Sequence, residues 1–241
     1  SVLIVPSRAD DDIVIAIKER LGPRKRVLYI DIDAHHGDQV QEAFYRSKRV
    51  MSISFHENGK TLFPFKSGFE HEVGKGHGKG YNINVPLPEN TSDDEFLWAF
   101  EKVFLPAARA FQPDFIVAVL GADGLFYDPF SHLQLTNASI SQSLDMILQV
   151  APKLLALGGG GYVLDNIART WTLAWAVMNG LGPEEEDAAL FGGMFWGDKL
   201  TSLSDRPHFV PDEVKKSVRT EVERVVRAIE QNVFTMLDIK T

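Results

Sequence analysis

The sequence predicts an α/β domain built on a mostly parallel sheet. Three observations carry that prediction. Apolar runs of strand length alternate with amphipathic helical patterns. Three of the runs, around residues 28, 117 and 155, are apolar on both faces, as strands covered by helices on either side must be. No repeat or low-complexity tract interrupts the alternation across the 241 residues.

The elements follow in order. DDDIVIAIKERLG reads as a helix, with acids in its first turn and a glycine stop. RVLYID (26–31), RVMSISF (49–55) and YNINVPL (81–87) read as strands. In TSDDEFLWAFEKVFLPAARAF, Ser92 and Glu95 form a capping box. Phe96, Phe100, Val103, Phe104 and Phe111 then recur at helical spacing. DFIVAVLG (114–121) and KLLALGG (153–159) are strands, followed by the helical patterns ASISQSLDMILQVA and DNIARTWTLAWAVMNG. The acidic GPEEEDA opens an irregular surface segment over 182–210. PDEVKKSVRTEVERVVRAIEQNVFTML (211–237) is a long surface helix. Its stripe of Val214, Val218, Val222, Val225, Ile229 and Val233 faces the core. Residues 1–241 form one domain in this reading.

Composition narrows the function. The net charge of -8 argues against nucleic acid as a partner, since phosphate binding needs a basic surface. With no cysteine, disulfides, Cys-ligated metals and a Cys nucleophile are excluded, and a reducing, cytoplasmic setting fits. No apolar run reaches the ~18 residues of a membrane span.

In parallel sheets, ligands sit beyond the carboxyl ends of the strands. RVLYID runs into Asp31-Ile32-Asp33-Ala34-His35, whose alternating side chains put Asp31, Asp33 and His35 on one side. Like charges that close disfavour one another without a cation, so a metal site is favoured over a solvated acidic loop. FIVAVLG ends in Gly121-Ala122-Asp123-Gly124, which alone is an ordinary Asp turn. Together the two ends offer Asp, His and Asp, an open set of oxygen and nitrogen donors that suits zinc, iron(II) or manganese. KLLALGG runs into Gly158-Gly159-Gly160-Gly161-Tyr162. No Lys-Ser/Thr follows, so this is not a phosphate-binding P-loop. Tyr162 there is a packed loop aromatic or a donor to an oxyanion.

DIDAHHGD, GADGL followed by DP, and GGGGY, in this order, resemble the zinc-dependent histone deacetylase family. DPFSHLQLT resembles the acetoin-utilisation branch of its prokaryotic members. The likeness runs from about Asp12 to about Gly180. It implies a three-layer arginase/deacetylase-like α/β fold. It implies that Asp33, His35 and Asp123 hold zinc, or iron(II), and that Tyr162 is the oxyanion donor. It implies a structural potassium or sodium site framed by Asp31, Asp33, His35, Ser54 and Phe55, partly through backbone carbonyls. Phe63, Phe130 and Gly160 would line an acyl channel, with Phe130 where relatives often carry Leu. Without the resemblance, Phe63 and Phe130 read as core aromatics. The implied reaction is hydrolysis of an N-acetyl amide in acetyl-lysine protein, acetylated polyamine or a small acetyl amide.

The sequence also departs from that family. The family takes its general base from a His-His pair in a loop before the DxDxH strand, and no histidine precedes His35 here. Asp31 and Asp38 match the acids that orient that pair. His132 is the nearest remaining candidate, without the required place. His71 and His77 are expected at the surface. The family pattern resumes only near Asp12, so the expectation is a domain lacking its N-terminal part. Its opened sheet would favour self-association or a separately encoded N-terminal segment. Two other functions compete: a non-catalytic metal- or acyl-binding protein on the same fold, and a two-metal ureohydrolase. The latter needs acids where Gly37 and Leu125 stand.

Overall fold

Five strands pair in the order β3-β2-β1-β4-β5, all in parallel: β1 (Val27–Asp31), β2 (Val50–Glu57), β3 (Asn82–Leu87), β4 (Phe115–Leu120) and β5 (Leu154–Gly158). The computed structural model describes residues 10–21, 24–181, 203–206 and 208–240. SVLIVPSRA and most of the 182–210 segment lie outside the described residues.

Helices cover both faces. On one lie α1 (Asp10–Leu21) and α2 (Asp38–Phe44), packing Ile13, Ile17, Val40 and Phe44 on Tyr29, Val117 and Val119. On the other lie α3 (Asp93–Phe111), α4 (Asn137–Val150), α5 (Leu164–Met178) and α6 (Asp212–Ile229). The result is three layers with the sheet in the middle. After α6 the chain continues through a π-helical turn, Glu230–Phe234, and a last helical turn, Thr235–Leu237.

The largest core aromatics come from α3. Phe96, Phe100, Phe104 and Phe111 all point at the sheet and are buried. Phe100 stacks between Phe55 at 5.0 Å and Phe104 at 4.9 Å. Acids fill the first turn of α3, where they suit the helix dipole. Ser92 is the N-cap, but its hydroxyl donates to the Glu95 carboxylate at 2.5 Å and makes no bond to a helix amide. The capping box is thus replaced by a side-chain pair.

Two other expectations change. Among the described residues β5 is an edge strand paired only with β4, and Leu154 and Leu155 are half-buried. The strand is parallel as expected, and only residues 156–158 of it are buried. Helix α2 has no clear signal in the sequence. Only Val40 and Phe44 face inward, and seven residues are too few for a periodicity to emerge.

Truncating Phe100 to Ala should remove about 3–5 kcal/mol of stability, the range for a buried Phe whose neighbours cannot collapse into the gap. Urea unfolding followed by circular dichroism checks this. A loss below about 1 kcal/mol would mean that the aromatic stack is not the centre of the core.

Candidate metal centre

Neighbouring strands deliver the centre. Asp31 at the end of β1 is in register with Val119 on β4, so the chains leaving β1 and β4 run side by side. The first carries Asp33 and His35, and the second carries Asp123. Next to β4, the chain leaving β5 carries Gly160 and Tyr162.

The three expected ligands come together. His35 Nδ1 lies 2.8 Å from Asp123 Oδ2 and 3.2 Å from Asp33 Oδ1. Asp123 is completely buried, whereas Asp33 and His35 keep an opening to solvent. Backbone amides orient the carboxylates. Ala34 N–H donates to Asp123 at 2.9 Å, and His35 N–H and Gly160 N–H donate to Asp33 at 2.9 and 2.5 Å. Glycine is required where the carboxylates press on the loops. A Cβ at position 160 would lie 2.1 Å from Asp123 Oδ2, and one at 121 would lie 2.6 Å from the Asp33 backbone.

The protonation states follow from crowding. Burial, reinforced by the charge of Asp33, pushes Asp123 up to about 7. Burial also opposes the charge on Asp33, but hydrogen bonds from His35, Asp123 and the Gly160 and His35 amides outweigh it and hold Asp33 below its usual range. Hydrogen bonds to Asp123 and Asp33 raise His35 to about 10. A proton on His35 thus stands where a cation would balance the acids. The donor set and its glycine cradle fit a divalent metal held by one imidazole nitrogen and two carboxylate oxygens.

Asp31 does not stand idle. It accepts from the Tyr29 hydroxyl at 2.5 Å and from Asp33 N–H at 3.0 Å. A Cβ at residue 37 would lie 2.6 Å from Asp31 Oδ2, so no acid fits where a ureohydrolase needs one. Ser54 is the register partner of Asp31 on β2, and Phe55 follows it. Asp38 lies at the start of α2, half-exposed.

Phe63 and Phe130 are not core aromatics. Phe63 is 65% exposed and Phe130 55%. Phe130 meets Tyr162 edge-on at 4.4 Å, while Phe63 pairs with Phe65 at 6.4 Å. The residue that links the Phe130 and Tyr162 segments is Asp128, given no role by the sequence. It accepts from Tyr162 N–H at 2.8 Å and from Phe130 N–H at 3.0 Å. The signal for it was the acid before the proline in DPF. Burial, then the nearby Asp123, Asp33 and Asp128, raise the Tyr162 phenol and keep it a neutral donor.

Other described histidines are engaged elsewhere. His36 bonds Ser67 and Gln41. His56 bonds Ser54 and the Gly68 carbonyl, and burial drives it down to about 3. His132 Nδ1 is tied to Glu57 at 2.8 Å, and that hydrogen bond raises it. His71 and His77 are exposed, as expected.

Replacing Asp128 with Ala should speed hydrogen exchange at the Tyr162 amide by roughly ten- to a hundredfold, since a bond to a charged group contributes ~1.5–3 kcal/mol. Unchanged exchange would show that Asp128 does not hold the loop. The metal-free chain should also lose stability as pH rises. His35 is raised above its ordinary 6.5, so its contribution is complete below 6.5 and lost on the way to about 10. Asp123, raised from 3.8 to about 7, acts in the same sense, since between those values the folded chain holds a proton that the unfolded chain has released. Thermal melts in chelator should show a falling Tm over this range, and a smaller fall in His35→Gln. Melts independent of pH would contradict the protonated cluster.

Comparison with known proteins agrees with this geometry. The histone deacetylase domain family matches residues 11–178. The putative histone deacetylase 2 of Caenorhabditis elegans is 41% identical over 201 residues, covering 83% of this chain and 39% of that protein. Histone deacetylase B of Dictyostelium discoideum is 42% identical over 167 residues, covering 69% of this chain and 39% of that protein. The chain thus spans about two-fifths of the length of these relatives. Among solved structures, an HDAC homolog complexed with SAHA superposes with a TM-score of 0.77 at 33% identity, covering 91% of this chain and 61% of that one. An HDAC homolog from Aquifex aeolicus gives 0.73 at 35% identity, covering 89% and 61%. A parallel sheet, its covering helices and the matched sequence lead to one assignment: the chain belongs to the histone deacetylase family and has its arginase/deacetylase-like α/β fold.

Proposed function

We propose that this chain carries the hydrolytic centre of a metal-dependent deacetylase acting on N-acetyl amides, either acetyl-lysine or an acetylated small amine. The observation that carries the reading is the convergence of Asp33, His35 and Asp123 beside a loop that ends in Tyr162. Zinc, or iron(II), bound there would polarise the acetyl carbonyl and activate a water. Asp33, His35 and Asp123 hold the ion. Tyr162, a neutral phenol fixed through its amide by Asp128, donates to the oxyanion that forms as the carbonyl is attacked. Phe130, packed on Tyr162, and Gly160 flank the acyl group. Phe63 lies further out. Potassium or sodium at Asp31, Asp33, His35, Ser54 and Phe55 would serve the structure. No nucleic acid or membrane enters this reading: the surface is acidic, and no described helix is long and apolar enough to cross a membrane.

One observation favours a second reading. Hydrolysis needs a base to take the water's proton. No histidine precedes His35; His36, His56 and His132 bond elsewhere, His71 and His77 lie exposed, and His208 stacks on Phe126 at 3.8 Å. On that reading the chain alone binds metal and acyl group without turnover.

Turnover of an acetyl-lysine peptide with Zn²⁺ or Fe²⁺ supplied separates the two. Loss of an oxyanion donor costs about 10²–10³ in rate, so Tyr162→Phe should fall by that much. Such a fall supports the hydrolase. Bound metal without turnover supports the binding protein. Turnover indifferent to both Tyr162→Phe and Asp123→Asn would sink the proposed centre.

A further inference from the structure

A second group of metal-ligating side chains lies apart from the centre described above. Glu57 ends β2, Glu89 stands in the turn before α3, and His132 follows the Asp128–Phe130 turn. One donor atom from each falls within 4.8 Å of the other two. We propose that Glu57, Glu89 and His132 form a second divalent-metal site, for a first-row transition ion such as zinc, cobalt(II) or nickel(II).

The donors are one imidazole nitrogen and two carboxylate oxygens, the same chemistry as Asp33, His35 and Asp123. An imidazole among so few donors selects against magnesium and calcium, which prefer all-oxygen shells. The spacing suits the ion. His132 Nδ1 is 2.8 Å from Glu57 Oε1 and 3.6 Å from Glu89 Oε1. Donors on a tetrahedral ion with ~2.0 Å bonds stand about 3.3 Å apart, between those two values.

The backbone fixes the group before any ion arrives. His132 N–H donates to Glu57 Oε2 at 2.7 Å. Asn90 N–H donates to the His132 carbonyl at 2.9 Å, and Gln134 N–H to the Thr91 carbonyl at 2.9 Å. Three segments far apart in sequence are tied together, so binding orders little more than the Glu89 side chain.

The Glu57 side chain is completely buried and held in place: its carboxylate meets His132 Nδ1 at 2.8 Å and accepts from the Thr61 hydroxyl at 2.8 Å. His132 and Glu89 are 56% and 45% exposed, which leaves a path for the ion and room for water ligands. Among the described residues, no glycine presses on Glu57, Glu89 or His132 as Gly160 presses on Asp123. The role is therefore binding: the ion would pin the segment that carries Phe130 beside Tyr162.

Chelator-stripped full chain, titrated with Zn²⁺ or Co²⁺ by calorimetry, tests this. Wild type should take up two equivalents. Glu89→Gln and His132→Ala, both exposed changes, should each weaken the second roughly tenfold or more, as disturbance of a ligand set does. In Asp123→Asn one equivalent should remain and disappear when Glu89→Gln is added. Equal uptake and affinity in wild type, Glu89→Gln and His132→Ala would overturn the site and reduce the group to an ion pair. A second equivalent that survives both changes would overturn it too, and would place two ions in the first centre. The comparison of wild type with Glu89→Gln stands even if Asp123→Asn fails to fold.

Discussion

Two carboxylates sharing one buried place are the constraint on which the rest of this structure depends. Asp33 and Asp123 leave neighbouring strands and reach the same imidazole. Two unit charges about 4 Å apart repel by about 4 kcal/mol at an effective dielectric of 20. The surroundings answer that repulsion in three ways. Amides of Ala34, His35 and Gly160 donate to the acids. His35 carries a proton between them. Glycine at 121 and 160 removes the side chains that would fill the space the oxygens need. A metal ion would take over the role of the proton, and for that reason pH and metal act on the same energetic account.

The parallel sheet makes this crowding reproducible. Register between β1 and β4, and between β4 and β5, decides which residues emerge side by side at their carboxyl ends. A slip of one residue would turn Asp31, Asp33 and His35 to the opposite face. The slip is blocked because β1 is buried along its whole length, with Leu28 and Ile30 packed in one core and Val27 and Tyr29 in the other. Tyr29 links core and site. Its ring packs under α2, and its hydroxyl reaches Asp31.

Much of this was legible in the sequence. All five strands were found within a residue or two at each end, because alternating and fully apolar runs declare themselves locally. Asp33, His35 and Asp123 were legible because each follows directly on such a run. What was not legible depended on contacts between distant segments. Asp128 looks like any acid before a proline until the fold brings the Tyr162 amide to it. Phe63 and Phe130 read as core residues from their type alone, since hydrophobicity says nothing of which aromatic is left at a site's mouth. Glu57, Glu89 and His132 come from three separate stretches, and no spacing rule joins them. Among the described strands β5 stands at the edge, a place set by strand order, which its own residues do not encode.

The two His-carboxylate groups share donors and differ in their surroundings. Their donor types are the same, and in both an imidazole Nδ1 lies 2.8 Å from a fully buried carboxylate. Around Asp123 a glycine loop presses close, and the exposed rings of Phe130 and Tyr162 meet edge-on beside it. Around Glu57 the contacts are backbone bonds that tie one segment to the next. Like donors thus stand in unlike surroundings: a close glycine loop and exposed aromatics at one group, backbone ties between distant segments at the other.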